Sequence, residues 1–145
     1  MKIIGFNFTK IHAEKMKAPT KLNMNNNIEF TNVEKESVEM LKDSEAVKLS
    51  FKYSLIYSSK DEKEIKEEDK DAEVSFEGFV ILSLEKDEAK DFQKAWKKKQ
   101  IPKDATTPLY NFILKRCAPK AIPLQDDLQI PSPYLKIPQV KPQED

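Results

Sequence analysis

The sequence predicts an α+β fold: a four-stranded antiparallel sheet followed by two to three helices and a Pro-rich extended tail. Residues 46–58 and Ala72–Leu84 keep a strand period, with a run of charge between them. From Lys86 the apolar spacing changes to three and four residues, the period of a helix face. Prolines then recur at 119, 123, 131, 133 and 138, within a last third (residues 107–140) that reads as the cover of the sheet.

The first strand is expected over residues 3–15. Ile4, Phe6 and Phe8 share one parity, then Ile11 and Ala13 take the other. That phase change predicts a bulge, or a strand covered on both faces. His12 reads as a strand-surface histidine. Residues 16–26 read as a connector, because Pro19 breaks it and the Asn25, Asn26, Asn27 run favours turns. Its Met16, Leu22 and Met24 are either packed on the domain or an adaptable binding surface. A shorter strand over 28–35 turns Ile28 and Phe30 inward. Residues 35–44, with Val38, Met40 and Leu41, fit a strand extension, a turn or a helical turn.

Residues 46–58 form the clearest strand. Val47, Leu49, Phe51, Tyr53, Leu55 and Tyr57 take one face; Lys48, Ser50, Lys52, Ser54 and Ser58 take the other, with Ile56 the exception. The following KDEKEIKEEDKD stretch is too charged to bury itself and reads as a solvated, mobile hairpin loop. Ala72–Leu84 is the second strong strand, and Phe79 and Ile81 make its latter half apolar on both faces. A helix over 86–99 follows, with Ala89, Phe92, Ala95 and Trp96 inward, acids early and lysines late, as the helix dipole favours. Thr107 and Pro108 suit the N-cap and first position of a next helix. Its apolar face is Leu109, Phe112, Ile113, Arg116 and Cys117. At Pro119 and Pro123 the helix either stops and restarts or continues with a kink. Beyond Ile130 the prolines favour an extended tail.

Composition limits the function. At 145 residues the chain is expected to be one domain, residues 1–139, with 140–145 a flexible C-terminal tail. Lys plus Arg and Asp plus Glu are 25 each, so no global field holds nucleic acid or an anionic membrane. With 1 Cys and 1 His there is no intrachain disulfide and no ligand set for structural zinc. Only 2 glycines are present, which excludes glycine-rich phosphate cradles, and no cofactor is expected. No stretch has the length of a signal peptide or a membrane span, so a cytoplasmic protein without membrane insertion is expected.

The order of strands, helices and proline-marked tail resembles the SecB export-chaperone family. Gly78 and Phe79 stand where that family's final strand has a glycine followed by an apolar residue. Asn111, Phe112, Ile113 and Leu114 resemble the opening of its long helix, and Arg116 and Cys117 lie near its arginine–cysteine region. The spacing from Asn111 to Pro131 matches, and the segment from Pro131 through Ser132, Pro133, Tyr134, Leu135, Lys136 and Ile137 to Pro138 is similar to its Pro-rich segment before the last helix. The resemblance implies an ATP-independent holdase, a dimer of dimers (homotetramer) that binds unfolded or preprotein clients in long apolar grooves and serves protein transport. Carried over, the client-binding residues are Met16, Leu22 and Met24 on the crossover loop, Phe79 and Ile81 on the sheet, and Ile130, Tyr134, Leu135 and Ile137 on the tail side. Two departures put docking on an export motor in doubt: members that hand clients to the motor are strongly acidic and end in a zinc-binding tail, and this chain does neither. Some relatives instead protect an antitoxin.

Two other readings exist. Lys94, Lys97, Lys98 and Lys99 around Trp96 suit a small nucleic-acid or ribosome-associated binding module; dipole complementarity and a core tryptophan are the plainer account, and a nucleic-acid partner is not expected. An enzyme is not expected either. No carboxylate sits in an apolar motif, and Cys117 has only His12 as a conceivable base.

Overall fold

The computed structural model describes residues 1–18, 23–36, 44–60, 63 and 65–130. Four strands come first: β1 (Lys2–Lys15), β2 (Asn23–Glu36), β3 (Glu45–Ser58) and β4 (Ala72–Leu84). Two helices follow, α1 (Lys86–Trp96) and α2 (Lys103–Asp127). The strands form one antiparallel sheet in the order β1-β4-β3-β2. The hairpin β3–β4 is therefore central, and the first two strands are its edges. The α+β architecture expected from the sequence is the one observed.

Register explains the phase change in β1. The pairing with β4 slips between Phe8 and Lys10, so Phe8, Ile11 and Ala13 all share the face of Phe76 and Val74. A second slip between Ile3 and Gly5 puts Ile3, rather than Ile4, on the face of Phe6. β2 is longer than expected. It spans 14 residues and takes in the asparagine run that reads locally as turns. Pairing with β3 overrides that propensity, and the amides of Asn23 and Asn25 donate to the carbonyls of Lys60 and Lys63.

β1 ends and β2 begins at the same end of the sheet, on opposite edges. The connection must cross about 14 Å, three strand spacings of about 4.8 Å. Its start is pinned: the Met16 and Lys17 amides donate to the Asp71 carbonyl at 2.8 and 3.0 Å. The charged loop between β3 and β4 contains a short 3-10 turn, Glu67–Asp69, and fixed contacts. Buried Asp71 accepts from the Ser59 amide and hydroxyl at 2.8 and 2.6 Å. Lys70 pairs with Glu67 and Glu73. This end of the loop is thus tied to the strands.

The core lies on one face of the sheet. Val47, Leu49, Phe51, Tyr53, Leu55 and Tyr57 of β3 meet Val74, Phe76, Val80, Leu82 and Leu84 of β4 there, all buried. α1 closes one end with Ala89 and Phe92. α2 runs over the centre on a buried line of Ala105, Leu109, Ile113, Cys117, Ala121 and Gln125. It begins earlier than Thr107 and Pro108 suggest: Pro102 is its N-cap and Pro108 lies inside it. It also passes through Pro119 and Pro123 without ending. Both prolines, and Lys115, are exposed, so the missing amide bonds lie on the wet side, where water reaches the freed carbonyls.

The opposite face is polar in rows. Lys10, Glu77, Lys52 and Glu29 align across the strands with alternating charge, and His12, Ser75, Ser54 and Asn27 form the next row. Lys10 and Glu77 are 3.8 Å apart. His12 belongs to this surface, 3.3 Å from Glu14, as expected of a strand-surface histidine.

Candidate functional site

An α-helix with its side chains is about 10 Å wide, and four strands at about 4.8 Å spacing are wider than that. α2 therefore covers β3 and β4 and leaves the edge strands as flanks. The aromatic contacts mark its two shoulders. Toward β1, Phe112 meets Phe6 edge-on at 5.7 Å, and the Arg116 guanidinium lies 5.7 Å over Phe6 and 5.3 Å over Phe112. Toward β2, Tyr110 stacks on Phe30 at 5.4 Å with the rings 10° apart.

The β1 flank carries Phe6, Phe8 and Ala13, all half-buried. Its rim is Ile11 at 49% exposure, with Met16 at 49% where the strand ends. The β2 flank carries Met24, Ile28, Phe30 and Val33, also half-buried. Beneath the α1–α2 corner this flank deepens to a recess of about 600 Å³ lined by Ile28, Phe30, Trp96, Ile101 and Tyr110. Lys99 closes α1 in a left-handed conformation, φ 57°, and its ammonium lies 5.1 Å over the Trp96 ring. A smaller recess of about 170 Å³ lies between α1 and the start of α2, lined by Met1, Phe92 and Ala105 among others.

The structure separates the sequence-predicted contact residues. Met24 is on the β2 flank, and Met16 is exposed at the end of β1. Ile130 is closed into the core at the end of α2, with its amide bonded to the Gln125 carbonyl at 2.9 Å. Phe79 and Ile81 lie on the face away from α2, beside Asn7 and Gly5, and the Lys48 ammonium sits 4.5 Å over the Phe79 ring. They do not share a groove with Met24. Leu22, Tyr134, Leu135 and Ile137 lie outside the described residues. Phe6, Phe8, Phe30, Trp96 and Tyr110 complete the flanks; the sequence reading singled out none of them as client contacts and considered Trp96 only for stacking on nucleic acid. The signal for Phe8 was the parity change, which puts Ile11 on its side of the sheet.

Chemistry at the core is quiet. Cys117 is fully buried, and burial pushes its thiol up to about 12. It faces the sheet from the buried line of α2, and His12 is on the other face of the sheet. Tyr57 is also raised, by burial, against the lowering effect of its hydrogen bond from buried Gln125. Among the described residues no group of three or more His, Cys, Asp or Glu is placed to hold a metal ion, and no helix is long and apolar enough to cross a membrane.

No protein-family model matches the chain, and no curated protein matches it by sequence. Among solved structures, the fold is similar to a Mycobacterium tuberculosis SecB-like chaperone in complex with a ChAD peptide from the HigA1 antitoxin. The identity is 15%, the TM-score 0.49, and the match covers 98% of this chain and 92% of that one.

Proposed function

We propose that this chain is an ATP-independent holdase chaperone that binds unfolded or preprotein polypeptides along the flanks of α2, with protein export as one use. The observation that carries the proposal is the partial cover: aromatic and aliphatic side chains of both edge strands are half-exposed, and among the described residues β1 and β2 are the edges of the sheet. An unfolded client buries apolar side chains there at about 25 cal/mol per Å². Its main chain adds to a strand edge, which needs little sequence specificity.

Met16 and Met24 enter the proposal as client contacts, and Phe79 and Ile81 as a separate contact on the other face. Leu22, Tyr134, Leu135 and Ile137 enter it on the family resemblance alone. Ile130 joins only if the end of α2 opens. Assembly as a homotetramer in the cytoplasm belongs to the same proposal. The apolar β1 edge supports self-association: among the described residues the exposed large hydrophobics are Met1, Ile4, Ile11 and Met16, all in or beside β1.

The test is light scattering of a chemically denatured client diluted with and without this protein and without nucleotide. Suppression of most of the scattering at a several-fold molar excess is expected. Unchanged scattering at that excess overturns the proposal, and sedimentation of the same sample checks the assembly.

A further inference from the structure

We infer that the recess beneath the α1–α2 corner selects an aromatic client side chain with acidic neighbours, presented by an extended peptide on the β2 edge. This deepens the holdase reading and rests on it. Three features of the recess point to that ligand. Its walls are rings: Phe30 and Tyr110 stack on one side, and Trp96 faces them from the end of α1. A volume of about 600 Å³ admits a large planar side chain. Its mouth is cationic, formed by Lys99 and Lys103, and neither ammonium has a carboxylate partner among the described residues. Glu29 also borders it, but its position in the register gives its side chain to the opposite face, beside Lys52.

The third feature is the strand itself. Among the described residues β2 is an edge, so alternate main-chain groups beside Ile28 and Phe30 face outward without a strand partner. A peptide pairing there sends every second side chain toward the α2 side. One such side chain at the level of Ile28 and Phe30 reaches the recess. The side chains two positions before and after it share that face and lie near the two lysines. The chain as a whole is neutral, so the preference for acid is local to this mouth.

Trp96 is the sole tryptophan and lines the recess, so its emission reports occupancy directly. The experiment titrates the full chain, at low ionic strength, with tryptophan-free nine-residue peptides whose centres are Asp-Ser-Phe-Ser-Asp, Lys-Ser-Phe-Ser-Lys or Asp-Ser-Ala-Ser-Asp, so that the charges share the face of the central side chain. The Asp-Ser-Phe-Ser-Asp peptide is expected to bind about fivefold or more tightly than Lys-Ser-Phe-Ser-Lys, from two partly exposed charge contacts, and Asp-Ser-Ala-Ser-Asp to leave the emission unchanged. The Lys99→Glu/Lys103→Glu variant, both positions being exposed, is expected to reverse the order. Equal binding of the two phenylalanine peptides overturns the inference. So does a preference that the double variant leaves intact, or an emission shift on concentrating the protein alone, which would place a second copy in the recess. Scattering suppression by the same preparations separates the two proposals. Suppression without the peptide preference removes this inference alone; the preference without suppression removes the holdase reading and leaves a peptide-binding site.

Discussion

Gly78 shows how little room a single residue has in this sheet. It pairs with Phe8 on one side and Phe51 on the other. A Cβ there would collide with the Asn7 carbonyl oxygen and come within 3.1 Å of the Phe51 ring. The first obstacle is backbone of the neighbouring strand and cannot rotate away. Gly78→Ala is expected to cost about 2–3 kcal/mol of stability, the upper part of the range for overpacking, read as a lower urea midpoint. Gly5→Ala is the control. Its Cβ would meet only the Ile81 side chain, at 3.2 Å, and a cost below about 1 kcal/mol is expected. Equal costs would show that the strand spacing is softer than the register implies. Gln125 is another residue out of keeping with its place: it is fully buried, donates to the Tyr57 hydroxyl, and has no partner for its own carbonyl oxygen among the described residues.

At the scale of elements, α2 carries the main conflict between local preference and tertiary demand. Pro119 and Pro123 each forgo an amide bond, yet the helix continues because Cys117, Ala121 and Gln125 keep its inner line buried on both sides of them. A proline inside a helix is about 3 kcal/mol worse than alanine. Its restriction of the unfolded chain returns about 1 kcal/mol. Pro119→Ala and Pro123→Ala are therefore each expected to stabilise the protein by about 2 kcal/mol, seen as a higher denaturation midpoint by circular dichroism. No gain would mean that a bend set by the prolines is needed to follow the twisted sheet. The edge strands resolve a different conflict. β2 meets solvent with asparagines and charges, whereas β1 keeps Ile4 and Ile11 exposed, so the two edges suit different partners.

At the scale of the whole molecule, the cover and the sheet meet through groups that must stay neutral. Cys117 is raised from its ordinary value of 9.0 to about 12, and Tyr57 is raised from 10.0; burial is the leading cause for both. A raised value in the folded state means that the unfolded chain loses its proton first. The stability tied to these groups is complete below about pH 9 and is lost as pH rises through the folded values. Denaturant midpoints are expected to fall between pH 9 and 12, and less steeply for Cys117→Ala than for the unaltered chain. The same burial shields Cys117 from thiol reagents until the chain unfolds. A flat profile across that window would place Cys117 and Tyr57 outside the core.

The sequence by itself determined the strand pair β3–β4, the helix α1, the class of fold and the change of phase in β1, which the register then resolves as a bulge. Each of these is written in side-chain periodicity, which is local. It also showed that the latter half of β4 is apolar on both faces. Only the tertiary structure decided the rest. β2 runs through the asparagine run because β3 supplies the hydrogen bonds that the local sequence does not favour. α2 starts at Lys103 and ignores two prolines because burial of its inner line outweighs their local cost. Phe79 and Ile81 fall on the far face because register, fixed by pairing along whole strands, assigns every side chain of β4 at once. The flanks that form the candidate site bring together residues from β1, β2, α1 and α2, and no local pattern encodes that meeting.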